Sequence, residues 1–231
     1  VSGVPVRPAS EGRAGSLAAR RPRLTLAIAA LVGVGISRGL SNLPHDAKRL
    51  SLTPVVQAVL TDPGSPSAGS REPDVTIVVF TDYQCPVCRA DDPALERLLQ
   101  HDPKVRVIFK DWPIFGARSK LAARAVLAAD RQGRYLALHR SLMTTRLPLN
   151  AASIQQIALR AGLDGPRLVA DELTDAAHIN TQLGRQATQA WSLGLQGTPG
   201  YLVGPYLYEG GLDDSHLAQA VARARKSGPP T

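Results

Sequence analysis

The chain has 231 residues and two cysteines, which stand together as Cys85-Pro86-Val87-Cys88. Residues three apart on a helix have Cα atoms ~5 Å apart, from the helical rise and radius. That lies inside the disulfide window of roughly 4.4–6.8 Å. The two thiols can therefore close a small ring without large backbone movement, and so constrained a ring is reducible. Cys85 falls where a strand ends and a helix begins, at the cap position. Pro86 takes the first helical position, where a missing N–H costs nothing. Unpaired backbone N–H groups then point at the Cys85 sulfur and favour its thiolate. A helix terminus supplies ~0.3–2 kcal/mol, or up to about 1.5 units of pKa, which brings a thiol from ~8.5 to the neutral range. Further depression needs other donors, such as the Cys88 thiol. Cys85 is thereby the attacking nucleophile and Cys88 the resolving thiol.

Other uses of the pair fit less well. A purely structural bridge across four residues removes little loop entropy. Zinc would need two more ligands, and His45, His101, His139, His178 and His216 are scattered without metal spacing. These histidines read as surface or satisfied side chains. A redox-silent binding or chaperone module is the alternative from another functional class.

The elements that must hold the pair follow from the pattern. Val75 to Phe80 (VTIVVF) is β-branched and nearly continuous, as expected of a central strand buried on both faces. A helix follows Cys85 to about Gln100, with a kink or restart expected at Pro93. Lys104 to Lys110 reads as a second strand, so strand–helix–strand implies a parallel pair with a crossover. Helices are expected over Leu121–Met143, interrupted at Gly133, then Ala151–Ala161, Pro166–Leu173 and Ala176–Leu193. Thr198-Pro199, read from the residues alone, is an ordinary turn. Tyr201–Gly204 and Tyr206–Tyr208 form two short strands, and a last helix runs from Asp213 or Asp214 to about Lys226.

The folded body is expected over 74–226, with a helical insertion at about 117–196. Residues 41–73 read as a linker. They hold a short helical stretch near Val55–Leu60, then the breaker-rich run Asp62-Pro63-Gly64-Ser65-Pro66-Ser67-Ala68-Gly69-Ser70. Residues 1–40 read as a signal peptide or signal anchor, with the apolar run 24–36 behind Arg20, Arg21 and Arg23. Thirteen residues are short for a span, which needs roughly 17–25. The net charge of +8 belongs mostly to this end. Residues 1–50 carry eight Arg/Lys against two Asp/Glu, and the remainder carries 19 against 17. With 4% aromatics and no basic run interleaved with them, the body makes no claim on nucleic acid.

Val78-Val79-Phe80-Thr81-Asp82-Tyr83-Gln84-Cys85-Pro86-Val87-Cys88, with Gly197-Thr198-Pro199 far downstream, resembles the DsbA-type thiol–disulfide oxidoreductases of the thioredoxin superfamily. Phe109-Lys110-Asp111-Trp112-Pro113-Ile114 and the helices after it agree, so the resemblance covers about residues 72–226. It implies an α/β thioredoxin-like fold with an inserted helical domain. It implies a cis bond before Pro199, against the ordinary turn above, with Thr198 offering its backbone to an extended substrate. It also implies catalysis with no cofactor beyond the Cys85–Cys88 disulfide. The partners it implies are cysteine-containing exported proteins and a membrane-bound redox partner that recharges the pair.

Two features depart from the family pattern. Val79 stands where many relatives carry an acid. Val87 replaces the histidine of strongly oxidising relatives and cannot donate to the Cys85 thiolate, so a less oxidising couple is expected. Asp82 and Lys110 are candidates for charge tuning. No added dimerisation domain is legible before residue 72, which lowers the isomerase reading. A monomer forming disulfides is expected, and the export segment implies a periplasmic or other extracytoplasmic location, free or tethered to the membrane.

Overall fold

The computed structural model describes residues 46–228. The expected export segment 1–40 and the first residues of the expected linker lie outside the described residues. The elements in chain order are β1 (Ala47–Arg49), α1 (Pro54–Leu60), β2 (Ser67–Gly69), β3 (Val75–Thr81), α2 (Pro86–His101), β4 (Val105–Asp111), α3 (Ala117–Ala129), α4 (Tyr135–Thr144), α5 (Ala151–Arg160), α6 (Gly165–Thr174), α7 (Ala176–Leu193), β5 (Gly200–Val203), β6 (Tyr206–Glu209) and α8 (Asp214–Lys226).

The strands form one sheet in the order β1-β6-β5-β3-β4-β2. β3 and β4 are parallel, joined by the α2 crossover, and the other pairings are antiparallel. β3 lies at the centre and is covered on both faces. Ile77 and Val79 point into a core shared with α2, α8 and the inserted helices α3 to α6. Val78 and Phe80 point into a second core with Val56 and Val59 of α1 and Ala190 and Leu193 of α7. This two-sided burial is why the strand reads as a continuous apolar run. The architecture is α/β, thioredoxin-like, with inserted helices, as the resemblance implied.

The expected linker takes a different form. Residues 47–49 and 67–69 are edge strands, pairing with β6 and β4, and α1 closes the second core. The breaker-rich stretch is ordered by tertiary contacts that composition does not reveal. Asp62 forms a buried ion pair with Lys110, and Arg185 lies 3.3 Å from its other oxygen. Short edge strands also tolerate Pro and Gly that a central strand would not. Gly69, at φ +92°, sits where a Cβ would fall 2.3 Å from the Val105 carbonyl oxygen, so the edge requires glycine there.

One other difference is smaller, and one expectation is met. α2 runs through Pro93 without the expected restart, held by the buried Cys88, Asp92, Ala94 and Leu95 on either side of it. Gly133 does interrupt the helical stretch, in the left-handed conformation between a 3₁₀ turn and α4.

Candidate active site

Cys85 caps α2, with Pro86 in the first turn, as the strand-to-helix reading expects. The Cys88 backbone N–H donates to the Cys85 sulfur at 3.2 Å, and in its protonated form the Cys85 thiol donates to the Thr198 carbonyl at 3.3 Å. Both cysteines are free thiols and buried. The Thr198–Pro199 bond is cis, which corrects the ordinary-turn reading.

The two thiols are electrostatically unequal. A hydrogen bond from the Cys88 thiol, helped by the Cys88 and Val87 backbone N–H groups and by Thr198, outweighs burial and brings Cys85 down to about 6. Burial, reinforced by the adjacent Cys85 sulfur, pushes Cys88 well above the usual thiol range. At neutral pH one sulfur is a thiolate and the other holds its proton.

Asp82 and Thr198 converge on the pair, and Lys110 does not. The Asp82 carboxylate accepts from Gln84 N–H at 2.7 Å and Phe115 N–H at 3.0 Å. It thereby ties the turn before Cys85 to the loop after β4. Lys110 is fully buried on the α7 face of the sheet, ion-paired with Asp62 and 3.0 Å from the Ser65 hydroxyl. Its charge is spent in the core, because β4 turns its side chain away from the α2 face. Several large apolar side chains are exposed, at 40% to 56%: Val87 beside the pair, Ile114 and Phe115 in the loop that Asp82 holds, and Trp191 near the end of α7. The Trp191 ring meets Trp112 edge-on, with centroids 4.9 Å apart.

Residues 76–222 match the family described as DSBA-like thioredoxin domain. The chain belongs to that family. A thioredoxin-like oxidoreductase from Silicibacter pomeroyi is similar in structure at TM-score 0.70 and 39% identity, over 74% of this chain and 97% of that one. A periplasmic thioredoxin-like protein from Salmonella enterica superposes at TM-score 0.64 with 33% identity, over 76% and 99% of the two chains. A thiol–disulfide exchange protein from Wolbachia pipientis gives 0.69 and 27%, over 72% and 90%. Among curated proteins, a Na(+)/H(+) antiporter from Salinispora tropica is 28% identical over 158 residues. That match covers 68% of this chain, which spans about a quarter (24%) of the antiporter's length. Residues 76–222 thus form a DsbA-like thioredoxin domain with Cys85–Cys88 as its CXXC pair, and this family works with its cysteines and not with a cofactor.

Beneath the pair lies a cluster that sequence reading missed. The Tyr83 hydroxyl donates to Asp111 at 2.8 Å and lies 2.9 Å from His139 Nδ1. His139 Nε2 lies 2.9 Å from Asp92, and the Tyr135 hydroxyl also donates to Asp111, at 3.0 Å. All five side chains are buried. One signal was available: Cys88 and Asp92 are four apart in a helix and so share a face. Tyr83 comes from the turn before Cys85, Asp111 from β4 and Tyr135 and His139 from α4, and no spacing in the chain announces that they meet.

Proposed function

We propose that this domain forms disulfides in exported proteins. A client thiolate attacks Cys85 Sγ of the oxidised pair. The Cys85–Cys88 bond breaks, Cys88 leaves and takes up a proton, and Cys85 carries a mixed disulfide with the client. A second client thiolate then attacks the client sulfur, a client disulfide forms, and Cys85 is released as a thiolate. The client has lost two electrons and the pair has gained them. A membrane-bound redox partner, accepting those two electrons, returns the pair to the disulfide. Run backwards, the same steps reduce a client, with Cys88 attacking Cys85 to resolve the mixed disulfide.

The observation that carries this reading is the asymmetry of the pair, a stabilised Cys85 thiolate beside a protonated Cys88. Each lowering of the Cys85 pKa favours the reduced form and makes the disulfide a better oxidant. Client binding is supported by the exposed apolar side chains and by the backbone of Thr198 beside Pro199, where an extended segment can pair as a strand. The periplasmic relative supports an extracytoplasmic compartment. The partial likeness to proteins named as antiporters supports work at a membrane, across which such ion exchange takes place. We place the domain as a monomer.

Trapping tests the proposal. In a Cys88→Ala variant, Cys85 should accumulate mixed disulfides with cysteine-containing exported proteins. An unreactive Cys85 and no adduct would refute it.

A further inference from the structure

Hydrogen-bond arithmetic in the buried cluster leads to a second chemical role. The Tyr83 hydroxyl has one hydrogen and donates it to Asp111. Its contact with His139 Nδ1 must then be one it accepts, so Nδ1 carries a hydrogen. His139 Nε2 and Asp92 Oδ1, 2.9 Å apart, consequently need one proton between them. Without it a lone pair would face a carboxylate in a buried site. The pair is either imidazolium with carboxylate or imidazole with carboxylic acid.

The cluster sits where a proton is needed. Asp92 follows Cys88 by one helical turn, which puts their Cβ atoms about 5–6 Å apart. Both residues are buried, at 3% and 5% exposure, so bulk water does not reach the Cys88 thiol directly. The Tyr201 phenol, on β5, faces the same space. Burial above all, and then the nearby Asp91, Cys88 and Asp92, raise its pKa. Around His139 the titratable neighbours are Tyr83 before α2, Asp92 on α2, Asp111 on β4 and Tyr135 on its own helix. The Phe109 ring packs against the imidazole, with centroids 4.9 Å apart. Burial pushes Asp111 up to about 6, so it is mostly ionised at neutral pH, and the cluster then carries a net charge of −1.

We propose that the Asp92–His139 pair is the internal proton acceptor and donor for Cys88. This rests on the exchange reading above. When Cys88 attacks Cys85, its S–H bond breaks. The proton passes to the Asp92–His139 pair, through the Tyr201 hydroxyl or a water. The cluster goes from −1 to neutral, and the Cys88 electron pair forms the new S–S bond. In the opposite direction the departing Cys88 thiolate takes the same proton back. His139 and Asp92 thus serve the buried sulfur, whereas the helix terminus serves Cys85.

The test uses the reduced protein and dithiobis(nitrobenzoate), followed by stopped flow. In the first phase the Cys85 thiolate attacks the reagent and one coloured thiolate is released. In the second phase Cys88 attacks Cys85, and a second coloured thiolate leaves with formation of the Cys85–Cys88 bond. His139→Gln and Asp92→Asn should slow the second phase about 100-fold, the low end for general acid–base catalysis. The first phase, which needs no proton from Cys88, should keep its rate, and added imidazole should restore part of the second. In the unaltered protein the second phase should be independent of buffer concentration at fixed pH. A second-phase rate that rises in proportion to buffer base in the unaltered protein would overturn the proposal, whether or not the variants fold. So would variants that keep the second phase intact, or that slow both phases equally without rescue. Absence of any first phase would instead remove the exchange reading on which this one rests.

Discussion

Val87→His should make the Cys85–Cys88 couple more oxidising by about 15–30 mV. Val87 is 46% exposed on the first turn of α2, and its backbone N–H already helps to hold the Cys85 thiolate. An imidazole N–H at this position adds a hydrogen bond to a charged acceptor. Such a bond contributes ~1.5–3 kcal/mol when dry, and about half that with this exposure. For a two-electron couple ~1.4 kcal/mol corresponds to ~30 mV. The sign follows from the state that benefits. The disulfide has no thiolate, so the added bond stabilises the reduced form alone.

The starting point can be bracketed in the same way. Cys85 titrates at about 6, so its thiolate stabilises the reduced form above that pH and the benefit is lost as pH falls through it. Thioredoxin, with a pKa of ~7 and a potential of ~−270 mV, and DsbA, at ~3.5 and ~−120 mV, flank this value. Scaling the thiolate contribution from either one at neutral pH gives about −250 to −190 mV. Equilibration in glutathione redox buffers measures the potential, and thiolate absorbance against pH measures the Cys85 pKa. A potential near −120 mV for the unaltered pair would refute the reasoning. So would a Val87→His variant whose pKa falls while its potential stays fixed.

Lys110→Met should destabilise the fold by up to ~3–5 kcal/mol in denaturant unfolding, because it leaves the buried Asp62 carboxylate with only the half-exposed Arg185 as a charged partner. The Cys85 titration should stay where it is, and Asp62→Leu in the same chain should recover most of the lost stability. A shifted Cys85 titration in a stable Lys110→Met protein would return Lys110 to the tuning role that its position in sequence suggests. Gly69→Ala should cost at least ~1–3 kcal/mol by the same measurement, since it combines a left-handed backbone with a Cβ only 2.3 Å from the Val105 carbonyl oxygen. Unchanged stability would mean that the β2 edge is not held as described.

The amino-acid sequence by itself determined the local parts of this protein. The uninterrupted β-branched run of β3 could only be a strand buried on both faces. Pro86 after Cys85 set the helix start, and the three-residue spacing set the reach of the two sulfurs. Asn150 and Asp213 cap α5 and α8 as their positions in the chain indicate. Each of these depends on residues within a few positions of one another, where propensity and spacing act directly.

What only the tertiary structure decided is where distant polar groups meet. Lys110 looks like a loop-end charge beside the active site. The pleat of β4 instead sends it to the α7 face, where Asp62 awaits from a stretch that composition marks as linker. His139 looks like one of five scattered histidines, yet α4 brings it between Tyr83 and Asp92 under the cysteine pair. The physical reason is the same in both cases. A buried polar side chain is stable only with its partner in place. That partner is supplied by sheet register and helix packing across the whole domain, which no local window of sequence contains.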